Sequence, residues 1–264
     1  MNGTASDIDN PTSATDLTGR VAIVTGAYGG IGSATAGLFA RAGATVICTD
    51  INPGITGINE SGCTGVVLDV TSQSAVQELV DQTVAKYGRL DVMVNNAGII
   101  TNATVAELDE ADLDRVMAVN LKGVLFGCKA ASAVMVKQGS GSIINLASEA
   151  MFSAVPNIIA YSMAKAAVGQ LTRCLANEVG PAGVRVNAVA PGFIETPMTS
   201  RHFTSSEGVV DQEKRKVVLA EFTKGVASNH IGQPIDIAHT ILFLASDASR
   251  YTVGQIIRTG GNPA

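Results

Sequence analysis

From Leu17 onward, short apolar runs alternate with longer stretches whose apolar positions recur at three- and four-residue spacing. The runs Val21 to Thr25, Thr45 to Thr49, Val66 to Asp69, Leu90 to Asn95, Ser142 to Ala147, Val184 to Ala190 and Gly254 to Arg258 predict strands. The stretches from about Gly30, from Ser72 to Tyr87, from Asp109 to Lys137 and from Ala160 to Val179 predict helices. Several strand runs are nearly continuous in apolar residues, as expected of a sheet buried on both faces. Strand and helix in alternation, joined by right-handed crossovers, give an α/β fold: a doubly wound parallel sheet of about seven strands with helices on both faces. Such a sheet binds ligands in the crevice outside the carboxyl ends of its strands.

Two stretches depart from this rhythm. Residues 1–16 are rich in Ser, Thr, Asn, Asp and Gly and predict a flexible tail, which leaves 17–264 as a single domain. Between about 197 and 232 the chain is longer and more polar than an ordinary connection, with a helical pattern from Val209 to Phe222, and it predicts a lid over a site.

Composition narrows the function. The 264 residues are 46% hydrophobic and 16% charged, with 28 glycines and no tryptophan, a balance suited to a buried sheet with glycine-rich turns. The net charge is −5 and no basic stripe is present, which argues against a nucleic-acid partner. The N-terminus lacks a basic and apolar leader, and no run of about 18 uninterrupted apolar residues follows, so a cytoplasmic protein without a membrane partner is expected. Cys48, Cys63, Cys128 and Cys174 are far apart and His202, His230 and His239 do not stand beside them at ligand spacing; buried free thiols and no metal are expected.

Candidate chemistry begins where the first strand ends. Thr25-Gly26-Ala27-Tyr28-Gly29-Gly30-Ile31-Gly32 leads directly into a helix. There Gly26 permits a tight turn, Gly30 lets the backbone approach a pyrophosphate, and Gly32 lets the helix pack on the strand, while unpaired N–H groups face the anion. No G-K-[ST] follows, which argues against a nucleoside triphosphatase. Asp50 ends the second strand, twenty-four residues after Gly26, where an acidic side chain accepts from the ribose 2′-hydroxyl. The 2′-phosphate of NADP, at about −1.5 to −2, meets repulsion from that carboxylate, and Ala27, Tyr28, Gly29, Ile51 and Asn52 supply no cation to relieve it. The expected cofactor is NAD, with NADP disfavoured.

Three residues separate Gly26 from Gly30, and by this spacing the chain resembles the short-chain dehydrogenase/reductase family, a single-domain Rossmann fold, from about Leu17 to Gly261. Asp69-Val70 resembles that family's adenine-contacting pair. Asn95-Asn96-Ala97-Gly98 resembles its N-N-A-G motif, with sheet-end stabilisation expected of Asn95 and cofactor contact of Asn96, Ala97 and Gly98. Pro191-Gly192-Phe193-Ile194-Glu195-Thr196 resembles the segment that holds the nicotinamide carboxamide through the Ile194 backbone and the Thr196 hydroxyl.

Tyr161 and Lys165 stand four apart in a helical stretch and so share a face. A phenol near pKa 10 needs about 4 kcal/mol to fall by about 3 units, and an ammonium about 5 Å away supplies about 3.3 kcal/mol at a dielectric of about 20. With Ser148, thirteen residues before Tyr161, and Asn120 in the preceding helix, the pair matches the family's Asn-Ser-Tyr-Lys tetrad. The resemblance implies that Ser148 bonds the substrate oxygen, Tyr161 transfers its proton, Lys165 holds the ribose hydroxyls and tunes the phenol, and Asn120 anchors a relay water.

The activity so implied is hydride transfer between NAD(H) and a small or medium secondary alcohol or ketone, bordered by Ile99, Ile100, Glu149 to Phe152, Asn157, Ile158 and the lid from Met198. Alternatives within the family are a 3-oxoacyl carrier-protein reductase, disfavoured because Gly139 to Gly141 and Pro181 to Gly183 carry no basic residue although Lys137 and Arg185 are near, and a non-catalytic NAD-binding regulator, disfavoured by the intact tetrad. Relatives commonly form homotetramers through the two long helices and the closing strand; Val124, Leu125, Phe126, Val168 and Leu171 are candidates for that interface or for the core. The closing strand reads Ile257-Arg258-Thr259-Gly260-Gly261, with Thr259 where relatives commonly have Asp.

Overall fold

The computed structural model describes residues 14–261 except 59, 206, 207 and 225, so most of the expected tail lies outside the described residues. Of its last residues, Ala14 accepts a backbone hydrogen bond from Ala248 and the Asp16 carboxylate accepts from Thr18, so the folded part begins slightly earlier than expected.

The strands are β1 (Val21–Thr25), β2 (Thr45–Asp50), β3 (Cys63–Val67), β4 (Val92–Asn95), β5 (Gly141–Leu146), β6 (Val184–Pro191) and β7 (Ile256–Thr259). They form one seven-stranded sheet, every pair parallel, in the order β3-β2-β1-β4-β5-β6-β7. The order reverses between β1 and β4, which opens a crevice above their carboxyl ends.

Helices cover both faces: α1 (Gly30–Arg41), α2 (Gln73–Tyr87), α3 (Glu110–Met117), α4 (Val124–Gln138), α5 (Ile159–Val179), the short α6 (Pro197–Ser200), α7 (Gln212–Thr223) and α8 (Pro234–Ala245). Successive strand residues point to opposite faces. Ile23, Met93, Ile143 and Val186 join a core with residues of α2, α4 and α5, whereas Ala22, Val24, Val92, Val94 and Ile144 join one with Phe39 of α1 and Ile237 and Ile241 of α8. Because both faces are covered, the strands read as continuous apolar runs.

Three local expectations need correction. The predicted helix from Asp109 to Lys137 is broken by a π-helical turn, Ala118–Gly123, between α3 and α4. By length and composition the run Glu110–Gln138 could cross a membrane, but Val116, Val124, Cys128 and Met135 along it are buried in the protein's own core. The α8 helix is not among the predicted elements. The edge strand β3 starts at Cys63 rather than Val66, because the polar and glycine positions Thr64 and Gly65 mask its start.

The segment after β6 folds as α6 and α7 and is tied back to the strand end. The Arg215 Nε donates to the Glu195 carboxylate at 2.6 Å, and the Phe193 and Phe222 rings stack at 3.8 Å between centroids. Its second helix begins at Gln212 rather than Val209, capped by Asp211, whose carboxylate accepts from Lys214 N.

Candidate active site

The crevice at the β1/β4 switch point is a cavity of about 590 Å³. Its wall includes Gly26, Tyr28 to Ile31, Asp50, Asn96 to Gly98, Ser148, Tyr161, Lys165, Pro191, Gly192, Ile194 and Thr196. Expected residues from the ends of five strands and from one helix thus meet at one site. Asn52, Leu146, Ala147 and the α6 residues Pro197, Met198 and Thr199 also line it. Ile51 and Asp69 are exposed outside the lining, Asp69 bonded to Thr71, and Val70 also lies outside it, partly buried against the core beside Gly123.

The glycine turn is sterically required. Gly26 has φ +65°, and a Cβ there would lie 2.8 Å from the Ala97 backbone. A Cβ on Gly32 would lie 2.1 Å from the Gly26 carbonyl oxygen. Neither contact can be relieved by a side-chain rotation, so the backbone geometry itself demands glycine. Gly29 caps α1 with no side-chain acceptor, which leaves the first-turn N–H groups facing the cavity for an anion. This cradle fits a dinucleotide pyrophosphate.

Asn96 braces that turn. Its Nδ2 donates to the carbonyls of Thr25 and Gly26, both at 2.9 Å. Thr25, which sequence reasoning did not single out, accepts at Oγ1 from the N–H groups of Asn96 and Ala97. Its position at the last residue of β1 was the available signal. Asn95 stabilises the sheet end as expected: it is buried, and donates to Asn145, which in turn donates to Thr172.

The Asp50 carboxylate accepts from Asn52 N at 3.0 Å and Tyr28 N at 3.2 Å. A carboxylate has about four lone-pair sites, so two remain for a ribose hydroxyl. The pair of backbone bonds aims the group into the cavity from the end of β2.

At the other end of the cavity, Ser148 caps the short 3-10 helix Glu149–Met151, its Oγ accepting from Ala150 N. Tyr161 and Lys165 lie on one face of α5, with Nζ 5.6 Å from the phenol ring centroid. Lys165 is buried and donates to the Leu146 carbonyl at 2.6 Å; burial lowers its pKa from 10.5 to about 8. Tyr161 is partly open to the cavity, yet desolvation raises its phenol above the ordinary 10, outweighing a hydrogen bond with Ser148 and the charge of Arg201, which both lower it. Among the protein's own groups, burial therefore dominates the phenol's shift.

Asn120 sits in the π turn, fully buried, with its amide spent on one residue: Oδ1 accepts from Ile99 N at 2.8 Å and Nδ2 donates to Ile99 O at 2.7 Å. It braces the segment after Gly98. Its Oδ1 and the Lys165 Nζ both stand near Gly98. Glu149, expected at the substrate, is instead held by a two-point contact with Arg258 of β7 at 2.7 and 2.8 Å. Asn157 lines a second cavity of about 490 Å³ with Thr104, Val155 and Ser162.

Among the described residues no cluster of three or more His, Cys, Asp and Glu side chains could hold a metal. All four cysteines are free; Cys48 and Cys128 are buried, but Cys63 is only partly so and Cys174 is exposed on α5, which corrects the expectation of burial throughout.

Comparison with known proteins places this geometry among relatives. Residues 26–261 match a family model described as enoyl-(acyl carrier protein) reductase. The chain is 40% identical over 252 residues to a 3-oxoacyl-[acyl-carrier-protein] reductase of Thermotoga maritima, covering 93% of this chain and 98% of that one. It is 37% identical over 249 residues to the (2S)-[(R)-hydroxy(phenyl)methyl]succinyl-CoA dehydrogenase subunit BbsD of Thauera aromatica, covering 92% and 95%. Among solved structures, the ligand-free aldohexose dehydrogenase of Thermoplasma acidophilum superposes with a TM-score of 0.87 at 31% identity, covering 94% of this chain and 95% of that one. A gluconate 5-dehydrogenase of Beutenbergia cavernae, described as NAD(P) dependent and with bound NADP, gives 0.84 at 34% identity, covering 94% and 98%.

Proposed function

Since the chain belongs to the short-chain dehydrogenase/reductase family of oxidoreductases, we propose that it moves a hydride between NAD(H) and a secondary alcohol or ketone, with Tyr161 as proton donor and acceptor. The observation that carries this reading is the convergence of Ser148, Tyr161 and Lys165 on the cavity whose far end is the glycine turn and Asp50.

The nicotinamide supplies the hydride site when bound. Gly26 to Gly32 hold the pyrophosphate, Asp50 the adenosine ribose and Lys165 the other ribose, while Asp69 and Val70 border the adenine. Ile194 and Thr196 orient the carboxamide. Ser148 holds the substrate oxygen by a hydrogen bond, and the Tyr161 hydroxyl gives its proton to that oxygen in reduction and takes it back in oxidation. Lys165, with Nζ anchored on Leu146 O, brings a positive charge to the phenol only while it is protonated. Asn120 fixes Ile99 and thereby the floor beside Gly98, and we place the relay water there.

The preference for NAD rests on Asp50, whose carboxylate is aimed into the cavity and disfavours a second negative charge. The NADP-containing relative makes the comparison of the two cofactors part of the test. A second reading, reduction of a 3-oxoacyl carrier-protein thioester, is favoured by the 40% identical relative. Against it, Arg185, one of the two basic residues near the helix ends, donates to Leu244 O, Ser246 O and Ser249 Oγ and is not free to dock an acidic carrier.

The experiment is turnover of a panel of secondary alcohols, ketones and 3-oxoacyl thioesters with NAD(H) and NADP(H), followed at the nicotinamide absorbance, for the wild type and Tyr161→Phe. We expect NAD(H)-dependent turnover and a loss of at least about a thousandfold in kcat for Tyr161→Phe with NADH binding retained. Substantial kcat in that variant refutes the role of Tyr161, and a higher kcat/KM with NADP refutes the cofactor assignment.

A further inference from the structure

Arg258 of β7 holds the Glu149 carboxylate at two points, its Nε donating at 2.8 Å and a terminal nitrogen at 2.7 Å. The same guanidinium lies over the Phe152 ring, 4.9 Å from its centroid. Glu149 opens the 3-10 turn that Ser148 caps, and Phe152 closes it, donating from its N–H to Glu149 O at 2.9 Å. Side chains three apart in such a turn stand on the same side, so one arginine grips both ends of it, by an ion pair and by its charge over a ring. The Glu149 side chain also rests on the end of β7, where a Cβ on Gly260 would lie 3.0 Å from its Cγ. Arg258 is itself fixed to the sheet: it stands in register with Ala190 of β6, and Gly192 N donates to Thr259 O at 3.1 Å.

Neither Arg258 nor Glu149 lines the cavity, whereas Ser148, next to Glu149 in the chain, does. A single 3-10 turn has poorer hydrogen-bond geometry than an α-helix, so the direction of this one is set by what grips it from outside. We infer that Arg258 is a positioning residue for Ser148: through Glu149 and Phe152 it fixes the turn, and with it the direction in which the Ser148 hydroxyl meets the substrate oxygen. This rests on the role of Ser148 in the dehydrogenase reading above and adds the part that holds it. A partly exposed ion pair contributes little to stability, whereas a small misplacement of a group that orients the substrate costs up to about a hundredfold in rate. The pair is therefore expected to act on kcat far more than on folding. Lysine in place of Arg258 keeps the charge and loses the two-point contact.

The test is a double-mutant cycle between Arg258→Met and Ser148→Ala, with Arg258→Lys beside it. The probes are cyclohexanone, 2-octanone, ethyl 3-oxobutanoate and the N-acetylcysteamine thioester of 3-oxobutanoate, each with NADH and NADPH, and the cycle uses the pair that the wild type turns over fastest. In Arg258→Met we expect kcat to fall about thirtyfold and in Arg258→Lys by less, with the Kd of the reduced cofactor within about threefold and the circular dichroism at the assay temperature unchanged. In the Ser148→Ala background, measured at high enzyme concentration, the same Arg258→Met change is expected to cost less than about threefold, because groups that act as a unit are not additive. An unchanged kcat in Arg258→Met, or an equal fall with and without Ser148, overturns the inference and leaves the dehydrogenase reading standing. A fall in kcat matched by a loss of cofactor affinity or of folded protein puts the effect on the cofactor or the fold and also overturns it. A wild type that reduces none of the four probes refutes the dehydrogenase reading and this inference with it.

Discussion

Burial acts on Tyr161 and Lys165 in the same sense: it favours the neutral form of each, raising the phenol and lowering the ammonium to about 8. The i, i+4 spacing made the pair legible in the sequence, but spacing does not report burial, so the direction of the phenol's shift was not. Nor was the Leu146 carbonyl that anchors Nζ, since the two meet only when β5 and α5 pack. The lysine gives a pH signature. Its folded pKa of about 8 lies below the ordinary 10.5, so between those values the unfolded chain keeps the proton and the folded chain has lost it. Stability from this group therefore rises with pH across that window, by on the order of 1 kcal/mol. The buried Cys48 and Cys128 thiols, both raised, and Tyr161 act in the opposite direction at higher pH. Comparison with Lys165→Met isolates the lysine: urea unfolding without added cofactor is expected to show the wild type gaining that amount relative to the variant. A constant difference across the window refutes the assignment.

Helices and strands with a single apolar face or a fully buried run were readable, and the exceptions have physical causes. The π turn adds one residue to a helix whose apolar positions continue on either side of it, so period alone gives an unbroken helix from Asp109. Asn120 is the clue, a buried polar side chain satisfied only because the widened turn brings it to Ile99. The α8 helix was missed although Pro234 at its start, Asp236 in the first turn and Ile237, Ala238, Ile241, Leu244 and Ala245 along one face are helix signals. It packs on α1, the helix that begins at the glycine turn, and so supports the site from behind. Ile241 is wholly buried there. Ile241→Ala is expected to destabilise the protein by about 3 kcal/mol through lost transfer energy and a residual cavity. Val217→Ala, at a position 62% exposed on α7, is expected to change stability by less than about 0.5 kcal/mol. Equilibrium urea unfolding of both measures the contrast, and equal effects would show that α8 is not part of the cooperative core.

At the scale of the whole molecule, the five candidate interface positions separate. Val124 and Val168, at 2% and 0% exposure, belong to the core, and Phe126 and Leu171 pack partly against it. Leu125 is 43% exposed, and so, at 42%, is Val136, which lies eleven residues further along α4. Eleven residues are close to three turns, so both side chains leave the same face. Single exposed apolar residues are ordinary, but two aligned on α4, with Met163 exposed on α5 and Tyr251 almost fully exposed before β7, mark the surfaces that the family resemblance assigns to association. A symmetric contact uses the same patch on both copies, so one substitution enters each interface twice. We therefore propose self-association through the outer faces of α4 and α5. Sedimentation velocity is expected to give a species well above the 27.0 kDa chain. Leu125→Glu combined with Val136→Glu places four carboxylates in each two-fold contact and is expected to lower the mass, with the circular dichroism of the folded chain retained. A monomeric wild type, or an unchanged mass in the double variant, refutes this interface.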